Sequence, residues 1–188
     1  LQTESVFAAK TGTLVVLSGD APLINSQTLL NLVTVHESST VAATVLTARL
    51  ERPYGYGRIL RHKEQLVGVI EEVDATAEQR KIKEVNSGIY AFDVRLLFDA
   101  LPKVSEAGPK HERYLPAVLE LLRRQQLTVS SITTEEAHEI RGINSQSELA
   151  EVSAIVRQRK NEELMAAGVT IEDPATTYID SDVQVGTD

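Results

Sequence analysis

Asp20 stands where parallel α/β sheets commonly bind ligands. It follows the apolar run Thr13–Leu17 through Ser18 and Gly19, and such sheets bind ligands just past the carboxyl ends of their strands. A carboxylate there suits Mg²⁺, a hard cation that takes oxygen ligands and brings substrate phosphates with it. From the residues alone, an aspartate that serves a turn or caps a helix is an equally good interpretation.

Asn144 is a second candidate ligand. It stands directly before Ser145–Glu148, a sequence that fits the capping box at the start of a helix. The N-terminus of a helix attracts anions, so Asn144 is placed to contact a phosphate or a metal ion. The alternative is that it belongs only to the cap.

Three further polar positions are suited to contact a small polar ligand. The segment Tyr54–Gly57 places two glycines around an aromatic residue, which allows backbone N–H groups to approach a ligand but more often makes a tight turn. Glu71 or its neighbour Glu72 is suited to accept hydrogen bonds from sugar hydroxyls, although a solvated strand end is the favoured interpretation. Asn86 interrupts an otherwise apolar strand, which indicates a ligand or a β-bulge.

The composition narrows the class of protein that carries these residues. The 188 residues have a net charge of −8 and contain no cysteine. An acidic chain argues against a nucleic-acid partner, and the lack of cysteine excludes disulfides, thiolate catalysis and cysteine-based zinc sites. No apolar run approaches the roughly 20 residues of a membrane span, so no membrane partner is predicted. Because the chain starts at Leu1 and stops in mid-pattern, we expect a fragment.

Hydrophobic periodicity predicts an α/β fold. The strand Thr13–Leu17, a helix capped by Asn25 or Ser26, and the strand Val41–Ala48 form a succession that is typical of a parallel sheet covered by helices. The elements predicted downstream are a hairpin of Arg58–Arg61 and Gln65–Glu71, a short helix opening at Thr76–Gln79, strands Glu84–Phe92 and Thr128–Thr133, helices Val94–Leu101 and Leu115–Gln125, and a long helix that opens at Ser145 and ends at Gly168.

The last twenty residues have β-branched residues and no helical pattern. Ile179 and Val185 are apolar and six residues apart, which is the elementary period of a β-helix. Because only these two apolar residues show the period, an irregular tail is an equally good interpretation.

Five motifs, taken together and in this order, resemble a known bacterial family. They are Leu17–Ile24 (LSGDAPLI), Tyr54–Ile59 (YGYGRI), Ile70–Ala75 (IEEVDA), Glu84–Tyr90 (EVNSGIY) and Gly142–Ser145 (GINS). The family is the bifunctional N-acetylglucosamine-1-phosphate uridylyltransferase / glucosamine-1-phosphate acetyltransferase. The resemblance runs over nearly the whole chain, and Ala166–Ala175 resembles the family's entry into a left-handed β-helix.

The resemblance implies an architecture. The fold would be α/β, a Rossmann-like nucleotidyltransferase fold with a mixed, mostly parallel sheet, followed by a linker helix and the start of a left-handed β-helix. Residues 1–144 would be the later part of the uridylyltransferase domain, residues 145–167 the linker helix, and residues 168–188 the start of the acetyltransferase domain.

The resemblance also implies roles for the candidate residues. Asp20 and Asn144 match the family's Mg²⁺ ligands, and Asn144 is thereby also a substrate contact. Gly57, Glu71 and Asn86 match positions that hold N-acetylglucosamine through a backbone amide, a carboxylate and a side-chain amide.

Tyr114 matches a family aromatic near the sugar, and the sequence departs from the family pattern around it. Arg113 and Ala117 stand where the family has tyrosine and aspartate, and Ser18 stands where it often has tyrosine. These departures affect the tuning of the sugar pocket, not the class of reaction.

The implied function is Mg²⁺-dependent uridylyl transfer from UTP to N-acetylglucosamine 1-phosphate. It would give UDP-N-acetylglucosamine and pyrophosphate for cell-wall precursors, in the cytoplasm, in a parent protein that is a homotrimer and also acetylates glucosamine 1-phosphate. The family's basic phosphate loop would lie upstream of Leu1 and its acetyl-CoA site downstream of Asp188. We therefore assign no catalytic residue within this chain and expect it to bind nucleotide poorly and to be inactive alone.

Two alternatives stay open at this stage. The first is another sugar-1-phosphate nucleotidyltransferase, since such enzymes share the metal motif around Asp20. The second is a non-catalytic scaffold module of the same fold.

Overall fold

A computed structural model describes residues 3–7, 9–106 and 112–186. The chain divides into two units. The sheet unit comprises Leu1–Gly19 and Ile24–Ile140, and the helix unit comprises Asp20–Leu23 and Arg141–Asp188. The domain boundaries that the resemblance implies stay a prediction.

The sheet unit is built on six strands in the order β4-β3-β5-β2-β6, with β1 also paired to β5. Their bounds are β1 Thr13–Val16, β2 Ala43–Arg49, β3 Arg58–His62, β4 Gln65–Ile70, β5 Glu84–Asp93 and β6 Val129–Thr133. The ten-residue β5 lies at the centre. Its residues alternate between two cores, Tyr90 and Phe92 in one and Ile89 and Ala91 in the other, because successive strand side chains point to opposite faces.

The sheet is mixed, as predicted, but the expectation of a mostly parallel sheet was wrong for the described strands. Only β2 and β6 pair in parallel, and the other described pairings are antiparallel. Strands β1 and β2 both run antiparallel to β5, so they share a direction, as a strand–helix–strand unit requires, while β5 lies between them. A strand buried on both faces has the same apolar pattern in either direction, so the sequence of β5 could not reveal its orientation.

The described part of the sheet unit contains four α-helices. They are α1 Glu4–Phe7, α2 Ser26–Ser38, α3 Val94–Ala100 and α4 Ala117–Arg124. Asn25 caps α2 by accepting a hydrogen bond from the Gln27 N–H at 2.8 Å, and this confirms the first of the two predicted caps. The box of Thr76 and Gln79 also forms, with reciprocal hydrogen bonds of 2.9 and 3.3 Å, but it opens a single 3₁₀ turn, Gln79–Lys81.

The helix unit is dominated by α5, Gln146–Ala166. Ser145 caps its N-terminus by accepting the Glu148 N–H at 3.2 Å. Its C-terminus ends at Gly168, which has φ +97° and donates to the Met165 carbonyl at 3.1 Å; a left-handed residue, usually glycine, commonly ends a helix. Among the described residues 168–186 there is no strand, so the start of a β-helix stays a prediction.

Of the helices described in these ranges, none combines the length and the apolar character that crossing a membrane would require.

Candidate functional site

Two adjacent carboxylates after β4 have different surroundings. Glu72 accepts from Arg58 Nη2 at 2.6 Å and lies 3.8 Å from Arg80 Nε. Glu71 is half-buried and has no ion pair among the described residues. Burial raises the pKa of Glu71, and the negative charge of Asp74 raises it further. Glu71 is therefore the carboxylate of this pair that is available to a ligand.

Gly57 lies directly against Glu71. A Cβ on Gly57 would stand 3.0 Å from Val69 Cγ1 and 3.3 and 3.4 Å from the two carboxylate oxygens of Glu71. The Gly57 carbonyl accepts the Asn86 N–H at 2.9 Å. The structure thus brings together Gly57, Glu71 and Asn86, which we call the sugar cluster because the resemblance assigns them to the sugar.

Asn86 is held by two donors on one side of its amide. Its Oδ1 accepts the Gly88 N–H at 3.2 Å and the Tyr90 hydroxyl at 2.8 Å. The β2–β5 register shifts at this point, because Val45 lies opposite Tyr90 whereas Thr47 lies opposite Asn86. The predicted bulge is confirmed, and a ligand at Asn86 stays a prediction.

Gly88 shows why the bulge needs a glycine. Its φ is +78°, and a Cβ there would stand 2.5 Å from the Ser18 hydroxyl oxygen. Only glycine tolerates both the left-handed backbone and that close approach. Ser18 therefore lies beside the bulge that carries Asn86.

Tyr114 lies in the sheet unit, where its carbonyl accepts the Ala117 N–H at 3.1 Å at the start of α4. Burial raises the pKa of the half-buried Tyr114, and the carboxylates of Glu112, Asp74 and Glu71 raise it further. At the departures from the family pattern, Arg113 lies 3.9 Å from the Glu106 carboxylate and Ala117 opens α4.

Asp20 and Asn144 converge on Gly142 in the helix unit. A Cβ on Gly142 would stand 2.9 Å from Asp20 Oδ2 and 3.7 Å from Asn144 Nδ2. The Ile143 N–H donates to the Asp20 carbonyl at 3.0 Å, which ties the two segments together. We call Asp20 and Asn144 the metal pair, after the role that the resemblance gives them.

The donor set of the metal pair fits a hard cation. A carboxylate oxygen and an amide oxygen are both ligands that Mg²⁺ accepts, and a half-turn of the Asn144 amide exchanges its nitrogen and oxygen. Gly142 leaves open the space that any other residue would fill with its Cβ. The described residues contain no group of three or more histidine, aspartate or glutamate side chains able to hold a metal ion.

The capping carboxylate beside the metal pair is already engaged. Glu148 accepts the Asn144 N–H at 2.7 Å. That bond and the bond from Ser145 hold the pKa of Glu148 below its usual value. Asn144 is therefore part of the cap through its backbone, while its side chain lies beside Asp20.

Two residues that support the sugar cluster were missed by the sequence analysis. Tyr90 is four residues from Asn86, too far for a contact along a regular strand, and it reaches Asn86 across the bulge at the left-handed Gly88. Arg58 is 1% exposed and binds Glu72 and the Tyr56 carbonyl. Its buried ion pair joins residues fourteen positions apart, and no local pattern indicated it.

Comparisons with known proteins agree on the kind of domain. The family model for nucleotidyl transferases matches residues 1–170. The chain is 46% identical over 177 residues to the bifunctional protein GlmU of Syntrophotalea carbinolica, covering 94% of this chain and 38% of that protein. It is 45% identical over 189 residues to the protein of the same name from Syntrophomonas wolfei, covering 100% of this chain and 42% of that protein. The chain thus spans about two fifths of the length of these curated relatives.

Solved structures share the fold at low sequence identity. A CMP:2-keto-3-deoxy-manno-octonic acid synthetase solved with CTP matches with a TM-score of 0.60 and 14% identity, covering 84% of this chain and 67% of that chain. A structure described as a glucose-1-phosphate thymidylyltransferase from Bacillus anthracis matches with a TM-score of 0.56 and 13% identity, covering 83% of this chain and 58% of that chain. At these identities the likeness extends to the fold alone, and it confirms the nucleotidyltransferase fold predicted from the sequence.

Proposed function

Since the chain belongs to the nucleotidyl transferase family, we propose that it serves Mg²⁺-dependent uridylyl transfer from UTP to N-acetylglucosamine 1-phosphate. The products would be UDP-N-acetylglucosamine and pyrophosphate. The chain contributes the residues that hold the sugar and the metal ion. The 45–46% identity to bifunctional GlmU proteins supports this choice of substrates.

The observation that carries the proposal is the grouping of Gly57, Glu71 and Asn86. The half-buried carboxylate of Glu71 has no cation partner among residues 3–7, 9–106 and 112–186. It is suited to accept hydrogen bonds from sugar hydroxyls, since such bonds to a charged acceptor are strong. Gly57 has no side chain, which allows the Glu71 carboxylate to lie close to its backbone. The Asn86 amide adds a donor, because its oxygen is occupied by Gly88 and Tyr90.

The metal pair has a distinct role in the proposal. Asp20 and Asn144 would hold Mg²⁺ through a carboxylate and an amide oxygen. When bound, the ion supplies positive charge against the substrate phosphates and fixes their orientation. Gly142 serves this role by leaving space at the two side chains.

The reaction needs no proton transfer by a side chain. An ionised phosphate oxygen of N-acetylglucosamine 1-phosphate forms a bond to the α-phosphorus of UTP. The bond from that phosphorus to the oxygen that bridges to the β-phosphate breaks, and pyrophosphate leaves with the electron pair. Catalysis of such a displacement depends on orientation and charge stabilisation, so the part of this chain is to bind and orient.

Calorimetric titration of the 188-residue chain tests the proposal. N-acetylglucosamine 1-phosphate should bind more tightly with Mg²⁺ than without it. Glu71→Ala should weaken binding in both conditions. Asp20→Ala and Asn144→Ala should remove the gain from Mg²⁺, and Asp182→Ala, at an exposed acid of the helix unit, should change nothing. Binding that keeps its Mg²⁺ dependence in both metal-pair variants would contradict the metal assignment.

The same titration separates the two alternatives. Tighter binding of a different sugar 1-phosphate would favour another nucleotidyltransferase of this family. No binding of any sugar phosphate would favour a non-catalytic module. The homotrimer, the acetyl transfer and the cytoplasmic location that the resemblance implies for the parent protein stay predictions.

A further inference from the structure

Tyr90 places a buried hydroxyl behind the sugar cluster. The residue is 2% exposed, and its ring stacks on Phe92 with the centroids 5.5 Å apart. Its hydroxyl donates to Asn86 Oδ1 at 2.8 Å. Burial raises the pKa of Tyr90, so the hydroxyl keeps the proton that it donates.

The contacts of Asn86 fix which end of its amide faces a ligand. A backbone N–H can only donate, so the bond from Gly88 identifies the acceptor as Oδ1. The Tyr90 hydroxyl occupies the same oxygen. The Asn86 Nδ2 group has no hydrogen-bond partner within the described part of the chain. Asn86 therefore presents a donor and no acceptor.

We propose that Tyr90 is a positioning residue that makes Asn86 a donor only, and that this selects a sugar with a carbonyl acceptor, the acetamido group. The inference rests on the proposed function and deepens it by naming what Asn86 recognises. An acetamido carbonyl only accepts hydrogen bonds, and a hydroxyl can either donate or accept. A protonated amine only donates, so it leaves the Nδ2 group facing another donor.

Three ligands that differ at one position measure this selectivity. The intact chain should bind N-acetylglucosamine 1-phosphate most tightly, glucose 1-phosphate less tightly and glucosamine 1-phosphate least tightly. N-acetylglucosamine 1-phosphate offers the Asn86 Nδ2 group a carbonyl acceptor, whereas glucosamine 1-phosphate offers it an ammonium donor.

Tyr90→Phe removes the hydroxyl and keeps the stacked ring. Without the second bond Gly88 still holds Oδ1, but that oxygen has a free lone pair and can accept from a ligand. Affinity for N-acetylglucosamine 1-phosphate should fall about fivefold, the worth of one hydrogen bond of about 1 kcal/mol, while affinity for glucosamine 1-phosphate should stay equal or rise. Tyr178→Phe, at an exposed tyrosine of the helix unit, is the matched control and should leave all three affinities unchanged.

A purely structural role for Tyr90 predicts a different result. It would weaken all three ligands by the same factor and leave their order intact, which would overturn the proposal. A double-mutant cycle adds a second criterion: in an Asn86→Ala background, Tyr90→Phe should have no further effect on selectivity. An undiminished loss of selectivity in that background would also contradict it.

Asn86→Asp keeps both acceptor contacts and removes the donor. It should reverse the preference toward glucosamine 1-phosphate, and an unchanged preference would count against the role of Asn86. If the intact chain binds no sugar phosphate, the proposed function fails and this inference with it. If the intact chain shows the predicted order but Tyr90→Phe keeps it, only this inference fails.

Discussion

Arg58 Nη2 donates to Glu72 Oε2 at 2.6 Å, and each of the two residues directly follows a member of the sugar cluster. Arg58 comes after Gly57, and Glu72 comes after Glu71. The Arg58 side chain is 2% exposed and also donates to the Tyr56 carbonyl. The buried pair thus fixes the two backbone segments that hold Gly57 against Glu71.

Arg58→Met should destabilise the sheet unit and weaken sugar binding together. It leaves the Glu72 carboxylate, whose side chain is 20% exposed, without its closest cation. Breaking such a pair from one side costs about 3 kcal/mol, measurable as a lower urea midpoint. The control is Arg124→Met, which breaks an exposed pair with Glu120 of the same 2.6 Å length and should cost less than about 0.5 kcal/mol. Equal losses in the two variants would refute the structural role given to Arg58.

Gly57→Ala should reduce sugar binding with a small effect on folding. The new Cβ would press on Val69 and on the Glu71 carboxylate, so the carboxylate must move. We expect about a tenfold loss of affinity for N-acetylglucosamine 1-phosphate, the worth of one hydrogen bond to a charged group. Gly68→Ala, at a position where a Cβ meets nothing within 4 Å, should bind normally. Normal binding by Gly57→Ala would show that Glu71 does not contact the ligand.

Glu71→Gln should stabilise the chain at neutral pH while weakening sugar binding. Burial raises the pKa of Glu71 above its unfolded value, so the ionised carboxylate opposes folding. The protonated Glu71 carboxyl favours the folded chain. This contribution to stability is complete at pH values below the pKa of Glu71 in the unfolded chain, and it is lost as pH rises through the higher pKa of Glu71 in the folded chain. The variant should therefore unfold at higher urea than the unmodified chain at pH 7. The difference should shrink as pH falls through the raised folded pKa and be gone below about 4.5, the ordinary pKa of the group.

Glu172→Gln is the control for that experiment, because Glu172 is exposed and lies in the helix unit. It should match the parent at both pH values. A destabilised Glu71→Gln at pH 7 would mean that the carboxylate has a stabilising partner, and the ligand role would lose its physical basis.

The local parts of this architecture could be predicted from the sequence. The β3–β4 hairpin, the cap at Ser145 and the end of α5 at Gly168 depend on residues within a few positions of each other, and all three are present. The sequence indicated a special role for Asn86 because a polar residue in an apolar strand needs a hydrogen-bond partner. The structure provides two partners, the Gly88 N–H and the Tyr90 hydroxyl.

The non-local parts could not be predicted in this way. The direction of β5 depends on what lies on either side of it, and its apolar pattern is the same in both directions. The difference between Glu71 and Glu72 depends on Arg58 and Arg80, which lie 14 and 8 positions from Glu72. The convergence of Asp20 and Asn144 joins residues at opposite ends of the chain, and only the family resemblance pointed to it.

Gly142→Ala should impair metal binding although it leaves both proposed ligands, Asp20 and Asn144, in the sequence. Its Cβ would stand 2.9 Å from Asp20 Oδ2, so the carboxylate would be displaced. Changes to residues that orient metal ligands typically cost ten- to a hundredfold in affinity, and we expect at least about a tenfold loss. Mn²⁺ titration followed by water proton relaxation measures it. Gly186→Ala, where a Cβ meets nothing within 4 Å, is the control, and equal Mn²⁺ affinities in the two variants would remove the metal pair as a site.

His36 should make the sheet unit less stable in mild acid. It is 5% exposed on α2, and its Nδ1 lies 3.1 Å from the Thr44 hydroxyl. Burial lowers the pKa of His36, although the charges of Asp93 and Glu37 oppose the effect. As pH falls through about 6.5, the usual pKa of histidine, the unfolded chain gains a proton that the folded chain does not, so stability decreases.

The variant His36→Gln removes that proton-binding group and isolates its effect. The parent should lose more unfolding free energy between pH 7 and pH 5 than His36→Gln loses, as measured by urea denaturation. His62→Gln, at an exposed histidine of β3, is the control and should follow the unmodified chain. If the unfolding free energy of the unmodified chain and of His36→Gln changed with pH in parallel, the buried ring would be protonated as readily as an exposed one, and the prediction would be wrong.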